Sequence, residues 1–383
     1  MLSRAKYSVC FVFGWLHVTI TIRLLMKVAF VHDFLTTQGG AERVLTALHS
    51  LYPEAPVYTL WYDEQGTQGA FSAWDIRPWK TGPLKRAALW RFPMAIESFD
   101  FSRYDLVISS SSAFSKSVLT NPGTIHICYC HTPTRYLWDW THEYLKEQRL
   151  GAVRGAIVSW IIHFMRTWDQ TSAARPDFWI ANSEYIAARI KKYYRAHASV
   201  IYPPVEPLTA PERVHKENFY LFVGRLSAYK RADLAIDACR GTKEPLVIVG
   251  EGTAEQELRR RAQGTKTVFR GRVNDEELAR LYAQARAVIF PSDDDFGIVP
   301  VEALAAGTPV IAYAKGGALE TLTDETGVFF DQPTSASLSH ALKTFHQRER
   351  EFKPDVLRER AKDFSTERFV RAWRAFIKKH IPQ

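Results

Sequence analysis

Cysteine is scarce in this chain, with four among 383 residues, at positions 10, 128, 130 and 239. Only Cys128 and Cys130 lie close, as C-x-C, and no second pair completes a zinc site or a disulfide framework. A reduced, cytosolic chain is the expectation. The sequence also lacks an apolar run of the ~20 residues that a membrane span prefers. An uncharged N-terminal stretch runs for sixteen residues from Tyr7 to Ile22, and Arg23 ends it. It has no short-period repeat and no G-x-G-x-x-G fingerprint, which argues against dinucleotide binding. It has no helix-turn-helix, RRM or zinc-finger pattern either, so a nucleic-acid-binding module is excluded.

What is present is an ordinary globular balance, 46% hydrophobic and 24% charged, which rules out disordered and fibrous classes. The 50 basic residues against 41 acidic ones leave a net charge of +9. Such an excess suits an anionic partner, either a membrane surface or a phosphorylated small molecule once nucleic acid is set aside. A chain of this length exceeds what one core holds, so two domains are expected.

The basic start, Arg4 and Lys6, before the uncharged run leaves two readings for residues 1–25. They are a signal peptide or short anchor, or an extension outside the fold with Met26 as the real start. The second is favoured, because Met26-Lys27-Val28-Ala29-Phe30-Val31 has the pattern of the buried strand that opens a Rossmann-like domain. From Met26 onward short apolar runs alternate with helical patterns, which predicts a doubly wound α/β architecture.

The first half reads as strands at Lys27–Phe34, Tyr104–Ser109, Thr124–Tyr129 and Phe178–Ala181. A Gly39-Gly40 turn precedes a helix over Ala41–Leu51, and Ser183 is a predicted N-cap. A proline-rich linker runs from Ile201 to Pro211. The second half restarts at Phe219–Gly224 and continues through Leu246–Gly250, Val268–Arg270, Ala287–Phe290, Val310–Ala312 and Val328–Phe330. Asn274 and Glu277 make a capping box, and Ser365 is placed to cap a last helix carrying Phe369, Trp373 and Phe376 on one face. The predicted domains are 26–205 and 214–364, with 365–383 packing back on the first. Ligands of such sheets bind at the C-terminal strand ends, which puts the site in the cleft between two facing domains.

Four clusters carry chemistry. Arg225 and Lys230, in Gly224-Arg225-Leu226-Ser227-Ala228-Tyr229-Lys230, follow a strand and precede a helix, where anions are already favoured. A solvated basic loop is the competing reading. Asp293-Asp294-Asp295-Phe296-Gly297-Ile298 leads into a helix carrying Glu302. Asp294 and Glu302, with seven residues between them, could reach one polyhydroxylated ligand, and Gly297 permits close backbone approach. Helix capping and a D-x-D metal site are the alternatives there. Gly250-Glu251-Gly252 reads as a tight turn beside a nucleotide. His131, after the third strand, sits where a catalytic group would face the cleft, although a lone histidine is more often structural.

Together these residues resemble the family-4 retaining glycosyltransferases of GT-B fold, over nearly everything from Met26 onward. GRLSAYKRADLAIDA resembles the donor-diphosphate segment, and DDFGIVPVEALAAGTPV the E-x(7)-E segment. DLVISSSSAFSKSV and CYCHTPTRYLWD resemble a bacterial branch of mannosyl- and related transferases that build O-antigens and exopolysaccharides. The resemblance implies that Arg225 and Lys230 hold a nucleotide-sugar diphosphate and that Glu302 binds ribose hydroxyls. Asp294 with the Gly297 and Ile298 amides would hold the sugar, with Asp294 standing where family members have glutamate. Gly39-Gly40 would admit the donor phosphates, Arg272 would lie at the base, and His131 would line the reacting centre. It further implies retention of configuration, a donor such as GDP-mannose, a lipid-linked or polysaccharide acceptor, and no metal cofactor.

Basic and aromatic residues interleave between Trp79 and Ile96 and again over Val153–Trp168, a mixture suited to an anionic bilayer; core packing is the alternative. A related epimerase, a phosphorylase-like enzyme or an inactive sugar-nucleotide binder are the competing functions. The reading of residues 1–25 predicts that a chain beginning at Met26 folds and keeps its activity. Loss of either, measured by circular dichroism and turnover, would refute it.

Overall fold

The computed structural model describes residues 9–13, 16–20, 26–79, 91–147, 151–208 and 215–381. Within the uncharged N-terminal run, β1 (Val9–Phe13) and β2 (Leu16–Ile20) pair antiparallel with each other and join neither main sheet. No helix among the described residues is long and apolar enough to cross a membrane.

The first sheet holds β3 (Val28–Leu35), β4 (Val57–Tyr62), β5 (Ile76–Pro78), β6 (Leu106–Ser111), β7 (Ile125–Cys130), β8 (Phe178–Ala181) and β9 (Ala198–Val200). All seven are parallel, in the order β5-β4-β3-β6-β7-β8-β9. Its helices are α1 (Gly40–His49), α2 (Phe92–Glu97), α3 (Thr141–Glu147), α4 (Ala152–Ser172) and α5 (Glu184–Tyr194). The second sheet holds β10 (Tyr220–Val223), β11 (Leu246–Val249), β12 (Thr267–Gly271), β13 (Ala287–Phe290), β14 (Val310–Tyr313) and β15 (Gly327–Phe330). It is also all parallel, in the order β12-β11-β10-β13-β14-β15. Around it lie α6 (Ala232–Cys239), α7 (Glu255–Arg261), α8 (Asp275–Gln284), α9 (Ile298–Ala305), α10 (Ala318–Thr321), α11 (Ser335–Arg348) and α12 (Pro354–Ala361).

Each sheet carries apolar clusters on both faces, as parallel strands with helical crossovers require. Strand order reverses between β3 and β6 in one sheet and between β10 and β13 in the other. These are the switch points where a doubly wound sheet leaves a crevice.

The caps follow local chemistry. Ser183, Asn274 and Ser365 accept from the backbone N–H three residues on, at 3.1, 2.8 and 3.4 Å. Besides β1 and β2, three strands of the first sheet went unread in the sequence. β5 and β9 are three residues each, too short for a periodic signal. β4, VYTLWY, was legible from its β-branched and aromatic content.

A buried ion pair ties the first domain together. Asp169 on α4 binds Lys116 at 2.6 Å and accepts from Thr134, Trp138 and Tyr194 at 2.8–2.9 Å. With its oxygens fully used, the charge is tolerated where a lone carboxylate would not be.

The last helix, α13 (Thr366–His380), returns to the first domain. Phe369, Trp373 and Phe376 enter the cluster formed by Phe30, Leu106 and Tyr129, and Trp373 is fully buried. The outgoing and returning chains run side by side, with Val205 N–H donating to Phe364 O at 2.8 Å. Trp373→Ala should therefore destabilise the fold by about 3–5 kcal/mol. Urea unfolding measures this, and a loss below about 1 kcal/mol would mean that α13 is not part of the core.

Candidate active site

The loops at the C-terminal strand ends of both sheets face one another. From the first sheet come Gly39-Gly40 after β3, Ser112–Ser115 after β6, His131 to Trp138 after β7 and Ser183 after β8. From the second come Gly224 to Lys230 after β10, Gly250 after β11, Arg272 after β12, Asp293 to Ile298 after β13 and Lys315 to Gly317 after β14.

The first switch point is organised by Asp33, a residue that the sequence did not single out. Its carboxylate accepts the four successive amides of Ser112, Ala113, Phe114 and Ser115 at 2.6–2.9 Å. This folds the turn after β6 tightly beneath His131. His131 is buried, and its Nε2 lies 2.8 Å from Ser110 Oγ. Burial, with His32 beside it, lowers its pKa to about 4, so the ring is neutral near pH 7. Glu42 faces His32 at 3.5 Å; burial opposes its charge, yet the His32 contact holds it below the ordinary carboxyl range.

Across the cleft, Gly40 meets the start of α9. A Cβ at Gly40 would lie 2.4 Å from Ile298 Cδ1, so any larger residue would have to push that methyl aside. The N-termini of α1 and α9 thus converge, concentrating unpaired N–H groups and positive helix ends in one place. Gly297, just before α9, is in the left-handed region at φ +88°. Gly250 packs against the Gly224 carbonyl and serves the fit of two loops.

The acidic run is fully engaged with cations. Asp294 pairs with Lys230, and burial of that lysine is outweighed by the carboxylate, so its pKa lies above the ordinary value. The other oxygen of Asp294 and the hydroxyl of Ser227 are buried without a hydrogen-bond partner among the described residues. Two such atoms in the loops after β13 and β10 leave acceptor and donor capacity for a ligand. Arg225 is exposed, and its side chain makes no hydrogen bond with a described residue. Arg272 is exposed at the end of β12.

Glu302 differs from the expectation that both carboxylates stand open to one ligand. It is buried, accepting from Arg43 of the first domain at 2.5 Å and from the Tyr282 hydroxyl at 2.7 Å. Asp293 and Asp295 likewise behave as ion-pair partners. Asp295 accepts from Arg135 at 2.7 Å and Arg189 at 2.8 Å, and Asp293 pairs with Lys315 at 2.9 Å and accepts from Tyr185 at 3.2 Å. Among the described residues no group of three or more His, Cys, Asp or Glu is arranged to hold a metal ion. Glu320 on α10 completes the bridge, accepting the first amides of α5 at 2.7 and 2.8 Å. Arg43, Arg135, Arg189 and Glu320 were missed in the sequence, because contacts across a cleft have no local spacing to betray them.

Residues 38–207 match the family described as Glycosyltransferase Family 4, and residues 209–364 match Glycosyl transferases group 1. The chain belongs to the family-4-type GT-B glycosyltransferases. This glycosyltransferase is 39% identical over 106 residues to the O-antigen chain mannosyltransferase C of Escherichia coli, covering 26% of this chain and 29% of that one. It is 34% identical over 152 residues to the GDP-mannose-dependent alpha-(1-6)-phosphatidylinositol dimannoside mannosyltransferase of Mycobacterium tuberculosis, covering 38% and 40%. These matches therefore span less than half the length of either relative. The Anabaena HepE structure, a complex with UDP and glucose, shares the fold at a TM-score of 0.68 and 17% identity, over 93% of this chain and all of that one.

Two buried histidines of the first sheet give the glycosyltransferase a pH signature. His126 and His131 are held to pKa values of about 3 and about 4, in both cases mainly by burial. An unfolded histidine titrates near 6.5, so below that pH the unfolded chain takes up protons that the folded chain refuses. Stability should be full above about pH 6.5 and fall as pH drops, approaching about 1.4 kcal/mol per pH unit per histidine. Urea midpoints between pH 7.5 and 5.0 measure this; a flat profile would contradict it.

Proposed function

We propose that this glycosyltransferase moves a sugar, with retention of configuration, from a nucleotide-sugar donor to a lipid-linked or polysaccharide acceptor in cell-surface glycan synthesis. The observation that carries the reading is the cleft itself. Two helix N-termini converge near the Lys230–Asp294 pair, with a neutral histidine on the facing wall and Arg225 exposed in the same loop as Lys230. That is a site with positive character for a diphosphate and hydrogen-bonding groups for a sugar.

The chemistry follows from charge. Breaking the anomeric C–O bond builds positive charge on the sugar and negative charge on the departing diphosphate. Arg225, Lys230 and the amides at Gly297 and Ile298 stabilise the second, and fixed donors of this kind are usually the largest catalytic term. Lys230 leaves Asp294 for the diphosphate, which frees that carboxylate for sugar hydroxyls. Gly39 and Gly40 admit the phosphates, Gly250 and Arg272 border the base, Glu302 takes the ribose hydroxyls when Arg43 releases it, and His131 contacts the sugar. Transfer is metal-independent in this reading, supported by the commitment of Asp293 and Asp295 to Lys315, Arg135 and Arg189. The names of the two mannosyltransferase relatives favour mannose as the sugar, and the GDP-mannose-dependent enzyme favours GDP-mannose as donor.

An anionic membrane surface is the proposed meeting place with the acceptor, at the inner face of the plasma membrane. Val153, Ile157, Trp160 and Phe164 share one face of α4 and are 53–75% exposed, while Ile162 and Met165 on the opposite face are buried. An exposed apolar stripe of that kind suits a bilayer interface. Most of the other basic-aromatic stretch, residues 80–90, lies outside the described residues.

A panel of nucleotide sugars in a thermal-shift assay, followed by turnover on lipid-linked acceptors, tests the reading. Lys230→Ala should lower kcat by at least about 100-fold, and EDTA should leave turnover intact. Strong inhibition by EDTA would restore the metal role of the D-x-D tripeptide. Donor epimerisation or phosphorolysis without acceptor, or binding without turnover, would overturn the transferase reading.

A further inference from the structure

A buried chain of polar groups leads from Glu42 to His131. Glu42 Oε1 faces His32 Nε2 at 3.5 Å. His32 Nδ1 lies 3.0 Å from Ser110 Oγ, and the same oxygen lies 2.8 Å from His131 Nε2. His32 and Ser110 are almost entirely buried, so no solvent competes for these contacts. His131 Nδ1 makes no hydrogen bond with a described residue.

With Glu42 ionised and His131 neutral, the proton count along this chain has one solution when His32 carries a single ring proton. A carboxylate accepts only, so the single proton of His32 sits on Nε2, facing Glu42. Nδ1 of His32 is then a lone pair, and the Ser110 hydroxyl donates to it. The hydroxyl oxygen has lone pairs left and no second proton, so the contact to His131 is made by a proton on Nε2 of that ring. The remaining nitrogen, Nδ1, is a lone pair. The hydrogen bond on one side of an imidazole fixes what the other side presents.

We propose that Glu42, His32 and Ser110 are positioning residues that hold His131 as its Nε2–H tautomer, so that Nδ1 offers an acceptor to a hydroxyl of the transferred sugar. This rests on the transferase reading for its ligand but not for its geometry. It adds a specificity rule: the sugar must present a hydroxyl donor at that point, and a deoxy or O-methyl sugar there loses the contact.

The test is the imidazole nitrogen spectrum of the full-length protein labelled with 15N-histidine at pH 7.5, with the His131 signals identified by their loss in His131→Gln. The wild type should show a protonated Nε2 and a bare Nδ1. Ser110→Ala should shift His131 toward a tautomer mixture. Glu42→Gln, whose amide can both donate and accept, should do the same without removing a buried group. Both variants should lower kcat about tenfold while the affinity for the nucleoside diphosphate alone stays within about twofold. A protonated Nδ1 in the wild type, or a His131 tautomer unchanged in either variant, would overturn the proposal. The spectrum is recorded without any sugar transfer, so failure of the tautomer proposal and failure of the transferase reading are distinguishable.

Discussion

Four carboxylates, Asp293, Asp294, Asp295 and Glu302, stand within ten residues at the C-terminal edge of one sheet. The arrangement of the cleft depends on how their charge is balanced. Close carboxylates at a half-buried edge repel one another and lose hydration, so each needs a cation or strong donors. Lys315 and Lys230 supply this from within the second domain, to Asp293 and Asp294. Arg135 and Arg189 supply it to Asp295, and Arg43 to Glu302, from the first domain. Charge neutrality is therefore reached only when the two domains face each other.

This division gives the acidic run two jobs. Asp295 acts as a clasp, with its backbone carbonyl also accepting from Ser183 at 2.6 Å. In the proposed reading Asp294 and Glu302 instead hold partners that a ligand would replace: an anionic diphosphate would compete with Asp294 for Lys230, and ribose hydroxyls would compete with Arg43 for Glu302. Binding in that reading would be an exchange of partners, which avoids leaving a buried charge bare at any stage. The convergence of α1 and α9 at Gly40 and Ile298 supplies a positive environment that needs no rearrangement.

The sequence made the alternation of strands and helices legible because parallel strands buried on both faces read as continuous apolar runs. The segments from Gly224 to Lys230 and from Asp293 to Glu302 were legible because a switch-point loop joins adjacent residues into one motif. What was not legible lies between distant segments. Nothing near Asp33 announces that four amides 79 to 82 residues away converge on it. Nothing near Arg189 announces Asp295, 106 residues on. The D-x-D tripeptide invited a metal reading from local spacing, whereas the fold sets Asp295 against Arg135 and Arg189 across the cleft, and Asp293 against Lys315 and Tyr185. His32 and Glu42 sat inside a strand and a helix that were placed correctly, but only the fold brings Ser110 between the two histidines.

The most direct test of this exchange of partners is a crystal structure of the protein with an intact nucleotide sugar. The diphosphate is expected between the N-termini of α1 and α9, with Lys230 Nζ moved from Asp294 onto a phosphate oxygen and Arg225 beside it. A nucleotide sugar bound elsewhere, or bound in the cleft with the Lys230–Asp294 pair intact, would contradict it.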